Sequence, residues 1–548
     1  MRKLMTVLIL LGLLMSLQVP LMLAQAPPQP GEEVGDPTST PVPTEEVVVD
    51  PTEEPTAEPT TEGEPAPDEE ISPGAPPLPP EGDAVTIGGE TEAVGAGEIG
   101  WAADVGEWNS QMIGFVNLGD DTAESVIKLY DSSTTPSATI DLPNMNVGTG
   151  YVMFPADETS FPEGTFSAIV DSTSSLGAVV LNTNYTLGGG DMYRAFDSGS
   201  NSLTAALLYR YWTPTGSRWT SRIHVQNTET SDATVYLNLY RSGSVSPDVV
   251  KVDTITGYST KTYDMDSTDY DAFGEYFGYG VFTSTNMIAV VVDALRSPTG
   301  ATAGDRVVTT YEAQPSEDAG RDLVAPLIYS NHSSWLTGVN VVNVGTISTT
   351  VTMTVTKSGP SEGDPVGTTY TFERGIDAGA EDTFYMPDLW PEGLPNPLYG
   401  TAQLHSSDSD IVSVVSSSKQ VSNGSVGNIS AALNPDTATS KIASPFYFKR
   451  YGGSDWITGA NIWNTGDATT VTVTLVKDPD SPGDASVVWS QDVDADSPVT
   501  FYSIDSVIPT GWFGSAFVTS TDNRDLLAVF THSGYDKGVS TNNIGINY

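Results

Sequence analysis

"WITGANIWNTGDATTVTVTLV", residues 456–476, decides the fold. In its second half Val471, Val473 and Leu475 fall on one side of an extended chain, and Thr470, Thr472 and Thr474 on the other. Alternation with period two among β-branched residues marks a strand with one buried face. Between the two apolar runs lies Asn464 and a short Gly/Asp/Thr-rich turn. Two such runs about a turn predict an antiparallel hairpin.

The phrase recurs. "WLTGVNVVNVGTISTTVTMTV" at 335–355 repeats it almost word for word. Trp219 with Asn227, Trp335 with Asn343 and Trp456 with Asn464 share one spacing, and Trp108 with Asn117 is one residue longer. An alternating run follows each asparagine: "ATVYLNL", "TTVTMTV", "TTVTVTLV" and, less cleanly, "ESVIKLY". Further on, an aromatic precedes an aspartate by three residues: Phe154 and Asp157, Tyr263 and Asp266, Tyr385 and Asp388, Tyr502 and Asp505. A glycine then opens another strand (Gly164, Gly280, Gly400, Gly514), and each unit closes on an apolar run, "LGAVVL", "IAVVV", "IVSVV" or "LLAVF". The asparagines stand 110, 116 and 121 residues apart, so the period is that of a domain rather than of a solenoid repeat.

Units of this length, with about seven short strands and no helical periodicity, predict an all-β chain of two-sheet β-sandwiches. Turn-rich boundaries at "DSGSNS", "QPSEDAG" and "LNPDTAT" place the four repeats at 101–200, 201–318, 319–437 and 438–548. Each is expected to bury its own core, giving a rod of separate domains.

Ahead of the repeats, residues 1–26 pair Arg2 and Lys3 with a long apolar run and end on Ala24-Gln25-Ala26, which reads as a secretory signal cut after Ala26. An uncut membrane anchor is the alternative, because the run is long enough to span a bilayer. Residues 27–100, typified by "PTEEPTAEPTTEGEPAPDEE" at 51–70, are an acidic Pro/Thr/Glu-rich segment with no lysine or arginine, expected to be a disordered stalk. Export places the remainder outside the cytoplasmic membrane, at the cell surface or beyond. No later segment is long and apolar enough to span a membrane.

Composition narrows the function. Seventy acidic against 22 basic residues give a formal charge of −48, a field that repels nucleic acid and anionic lipid and attracts divalent cations. With no cysteine there are no disulfides, thiolate metal sites, cysteine nucleophiles or lipid-bearing cysteine.

The tryptophan, the turn asparagine, the alternating strand, the aromatic-x-x-aspartate mark and the closing apolar strand together resemble the tandem immunoglobulin-like β-sandwich modules of bacterial secreted and cell-surface proteins. The likeness covers about residues 101–548, and the stalk beneath a signal peptide is similar too. It implies an architecture, and by association a surface array, sheath or adhesive role. Such modules share no catalytic motif.

Candidate sites are few. "DMDSTDYDAFGE" gathers Asp264, Asp266, Asp269, Asp271 and Glu275, an oxygen-rich run suited to calcium. Asp269 stands where an EF-hand-like loop needs glycine, and no helices flank it. Asp478, Asp480 and Asp484 form a second, weaker cluster. Tyr270, Phe273, Tyr276, Phe277 and Tyr279 in and after the first loop could stack a glycan or meet a protein; closing the end of the sandwich is the structural alternative. The four tryptophans read as core residues, with sugar stacking as the alternative. The asparagines read as turn formers and the four marked aspartates as loop caps. His224, His332, His405 and His532 share no position in the repeat, and G-x-S-x-G, H-E-x-x-H and phosphate-loop patterns are missing. The expectation is a non-catalytic structural or adhesive surface protein of S-layer or sheath type, with itself or a cell-wall or extracellular polysaccharide as partner. An extracellular carbohydrate-binding protein is the alternative.

Overall fold

The computed structural model describes residues 91–99 and 110–548, apart from 163–165, 185–188, 213–216, 299–306, 360–363, 422–423 and 535–538. The expected signal segment, nearly all of the acidic stalk, Trp108 and Gly164 lie outside the described residues. The structure is all-β: 63% of the described residues are strand, and the helices are mostly single turns. Among the described residues no helix is long and apolar enough to cross a membrane.

The fourth repeat shows the plan most fully. Its first eight strands are Lys441–Tyr451, Trp456–Asn464, Thr469–Lys477, Ser486–Val493, Pro498–Tyr502, Trp512–Ser520, Leu526–Gly534 and Val539–Ile544, and a short ninth, Ile546–Asn547, pairs with the first. One sheet runs in the order fourth, third, sixth, first; the other runs fifth, second, seventh, eighth. The third and fourth repeats keep this order, and in the second repeat the sixth and seventh strands are one continuous strand, Tyr276–Pro298. In the first repeat the first strand is Thr91–Ile99, so the sandwich begins inside the segment expected to be stalk. Second-with-fifth and third-with-sixth pairings agree with the immunoglobulin arrangement, but the first strand here pairs with the sixth and the seventh with the second.

The quoted stretch is not a hairpin. Trp456–Asn464 pairs with Pro498–Tyr502 and Leu526–Gly534, whereas Thr469–Lys477 pairs with Ser486–Val493 and Trp512–Ser520. The two strands lie in opposite sheets, and the turn between them is an arch across the core. Asn464 builds it. Its amide donates to the Asp467 carbonyl (2.8 Å) and the Asp494 carbonyl (2.9 Å), and its Oδ1 accepts the Gly466 N–H (3.2 Å). Asn117, Asn227 and Asn343 make the same three kinds of bond, and all four side chains are fully buried.

The larger departure concerns the cores. Val471, Val473 and Leu475 are buried between the sheets of their own repeat, as the alternation predicts. The seventh strands, however, are buried on both faces, because the outer face of each fifth-second-seventh-eighth sheet packs on the preceding repeat. Ala289 and Val291 of the second repeat join the core of the first, and Val342, Val412, Val414 and Ile429 of the third join the core of the second. Trp463, Leu527 and Val529 of the fourth pack on Val324, Ala431 and Leu433 of the third.

The series then closes. Met112, Val179, Leu181 and Met192 of the first repeat pack on Ala443, Phe446, Phe448 and Phe513 of the fourth. The four eighth strands, Gly189–Arg194, Val307–Glu312, Gly424–Ala431 and Val539–Ile544, each touch the two beside them in the same circuit. The repeats therefore surround an axis with shared cores, where the domain-length period predicted a rod of separate ones. Radial stacking of four-stranded sheets leaves only short outer edges, the solution that propellers use.

Candidate functional site

The acidic loop follows the fifth strand of the second repeat, Thr260–Asp264, and contains one 3-10 segment, Thr268–Phe273. Its carboxylates diverge toward separate cations. Asp271 meets Arg210 at 2.8 Å, Asp266 meets Arg218 at 2.8 Å, Asp269 meets Lys251 at 3.2 Å, and Asp264 lies 3.9 Å from Arg222. Arg210 is buried. Its Nε donates to the Met265 carbonyl and its Nη1 to the Gly274 carbonyl, so one guanidinium ties the loop at both ends. Arg241 donates to the carbonyls of Phe273 and Glu275. Among the described residues no three His, Cys, Asp or Glu side chains are grouped to hold a metal ion. Calcium bound by these aspartates would have to displace the chain's own cations.

The aromatic residues turn mostly inward. Tyr270, Tyr276 and Tyr279 are buried, and burial raises the pKa of each hydroxyl, so all three stay protonated. Tyr276 donates to the Tyr240 and Tyr279 carbonyls. Tyr279 stacks on Tyr240 at 4.7 Å and donates to the Gly379 carbonyl of the third repeat. Phe273 lies edge-on to Tyr276. Phe277 is half-buried against Trp212 (5.2 Å) and Tyr209 (5.7 Å). The tryptophans divide: Trp456 is buried, while Trp219 and Trp335 are half-buried beside Tyr209 and Tyr329. Asp157, Asp388 and Asp505 sit in one-turn helices, and Asp266 is committed to Arg218.

Two buried ionisable groups stand out. The Nε2 of His224 lies 3.1 Å from Asp293, its Nδ1 lies 3.0 Å from the Thr262 hydroxyl, and Thr310 donates to the other Asp293 oxygen. Burial opposes the Asp293 charge, yet His224 and the Thr310 bond leave its pKa lowered. Glu381 lies where the second and third repeats meet. It is 3% exposed, Oε1 accepts the Thr383 hydroxyl at 3.1 Å, and Oε2 is buried without a partner. Burial pushes its pKa up to about 7, with the nearby Ser242 hydroxyl of the second repeat and the Thr383 bond opposing the rise.

The cleft at the ring axis has no counterpart in the sequence reading. It holds about 350 Å³ and lies where all four eighth strands end, at Arg194, Glu312, Ala431 and Ile544. The crossings between repeats complete its wall with Phe196, Asp197, Glu317, Asp318 and Leu433. The segments "DSGSNS", "QPSEDAG" and "LNPDTAT" that mark boundaries in the sequence are these crossings; their recurrence at one point of the repeat was the available signal. Glu312 accepts the Arg194 N–H at 2.6 Å, and Glu317 accepts the Ser200 hydroxyl at 3.1 Å. Burial raises the pKa of both Glu312 and Asp318, and Arg194 opposes the rise in each.

No protein-family model matches the chain, and no curated protein matches it in sequence.

Proposed function

We propose that this chain is a non-catalytic secreted or cell-surface protein with a structural or adhesive task, its immunoglobulin-like repeats carried on the acidic Pro/Thr/Glu-rich segment. The observation that carries the reading is what the fourfold marks do. The asparagines shape arches, and Gly400 and Gly514 at the heads of sixth strands admit a neighbouring backbone. The residues repeated most faithfully thus serve the body of the molecule, as in a scaffold that displays its loops. Contact with a surface would gain from many copies rather than from one tight site. Head-to-tail closure spends the apolar face that would otherwise join molecules end to end, so assembly would use the outer strands. The test is immunogold labelling of intact cells before and after a chelator wash. A regular coat on the cells is expected before the wash; recovery of the protein only from the medium would overturn the assembly.

A second reading, carbohydrate binding, is favoured by the half-buried group of Trp212, Trp219 and Phe277, with Tyr211 between the guanidiniums of Arg210 (4.0 Å) and Arg218 (3.8 Å). Ring faces beside fixed donors are what a sugar needs. Saturable binding on a glycan array, lost in Trp212→Ala and Phe277→Ala, would favour it over the structural role.

A further inference from the structure

We propose that the cleft at the ring axis binds a linear aliphatic di- or polyamine, its ammonium groups held by Glu312 and Asp318 and its methylenes laid along Phe196, Leu433 and Ile544.

The lining is two-sided. The charged residues come from the first and second repeats and the crossings that follow them: Asp197, Glu312, Glu317 and Asp318, against the single guanidinium of Arg194. The third and fourth repeats supply no charged side chain to it: Leu433, Leu527, Ile544 and Ile546 stand there with the neutral Asn434, Thr437 and Asn547. A ligand matching both sides has separated positive centres joined by hydrocarbon. One small ion fits less well, because among the described residues no three carboxylates are grouped as metal ligands. The volume of about 350 Å³ admits roughly ten non-hydrogen atoms at ~30 Å³ each, the size of a short polyamine.

Energetics point the same way. Glu312 is 7% exposed yet faces the cleft, with Oε1 committed to a backbone N–H. Burying a carboxylate is costly unless a counter-charge accompanies it. One arginine opposes four carboxylates here; burial raises the pKa of Glu312 and Asp318, and Glu317 adds to the rise at Asp318. An ammonium group entering the cleft would supply the missing charge, while its methylenes would displace water from Phe196 and Leu433.

Titration calorimetry of the secreted chain with spermidine, in 150 mM salt, tests this. Saturable one-to-one binding is expected, weakened about tenfold or more by Glu312→Gln and by Asp318→Asn. Asp484→Asn, exposed and remote from the cleft, should leave it unchanged. A series of α,ω-diamines on the unaltered chain keeps the proposal testable if the cleft variants fail to fold: affinity should pass through an optimum of chain length. Non-saturable heat that is equal in all variants would reveal only diffuse attraction to the net charge of −48 and overturn the proposal. Calcium competing at lower concentration than any diamine, and lost with Glu312→Gln, would overturn it in favour of a metal site.

Discussion

Asn464 does with one side chain what a tight turn does with backbone alone. It satisfies two carbonyls and one N–H in a fully buried arch, so its amide is as much a part of the sheet-to-sheet connection as the strands are. This role was legible in the sequence, because only a short side chain with both donor and acceptor recurs at that point four times. Glu381 was illegible. Nothing near it in the chain announces that a facing repeat, through Tyr209, Tyr276 and Tyr279, will bury it. Its consequence is a pH dependence of definite sign. With a folded pKa of about 7 against 4.5 for the free side chain, the folded state binds the proton more tightly. Stability therefore falls as pH rises from about 4.5 to about 7, by up to roughly 3 kcal/mol, and stays reduced above that window. Glu381→Gln should raise the urea midpoint at pH 8 and leave it nearly unchanged at pH 4.5. An equal shift at both values would mean that the carboxyl titrates alike in the folded and unfolded chain, so that burial does not hold its pKa up. His532 works in the opposite sense. Burial lowers its pKa to about 4, so the stability it contributes is lost as pH falls from about 6.5 through 4.

Strands were legible as strands, and their partners were not. Alternation shows which face of Thr469–Lys477 is buried, but hairpin and arch present the same alternation, since in both the apolar faces look into one core. The seventh strands carried a further signal. "LLAVF" and "IAVVV" are continuous rather than alternating, the pattern of strands buried on both faces. The glycine at the head of the sixth strand is an element-scale device, and structure moves it by two residues in the second repeat. Gly278, rather than Gly280, pairs with the end of the third strand as Gly400 and Gly514 do. A Cβ at Gly278, Gly400 or Gly514 would stand 2.0, 2.0 or 2.2 Å from a carbonyl oxygen of that strand. Gly514→Val should therefore push the third and sixth strands apart and cost about 1–3 kcal/mol. Chemical denaturation would measure this; an unchanged midpoint would show that the strand end yields freely.

At the scale of the whole molecule, the first and fourth repeats meet in close contact. A Cβ on Gly114 would lie 2.8 Å from Pro445 Cβ and 2.9 Å from the ring of Phe446. Gly114→Val should loosen this seam, lower the melting temperature and enlarge the radius of gyration in solution scattering. Because cores are shared, calorimetry of the unaltered protein should show one cooperative transition, whereas four independent bricks would give a ratio of calorimetric to van't Hoff enthalpy well above one. The period in the sequence counted the repeats but could not show their closure, because the contacts that close the circuit join residues more than 250 positions apart.

That separation in sequence is also a separation in time. The face formed by Met112, Val179 and Leu181 has no cover until Phe446 and Phe448 have been synthesised. At ordinary ribosomal speed the wait is on the order of tens of seconds. Through that interval the nascent polypeptide carries a greasy surface that its own tail alone is shaped to clasp. A clone truncated before residue 441 should accordingly need a chaperone, or clump, however well its remaining strands are formed.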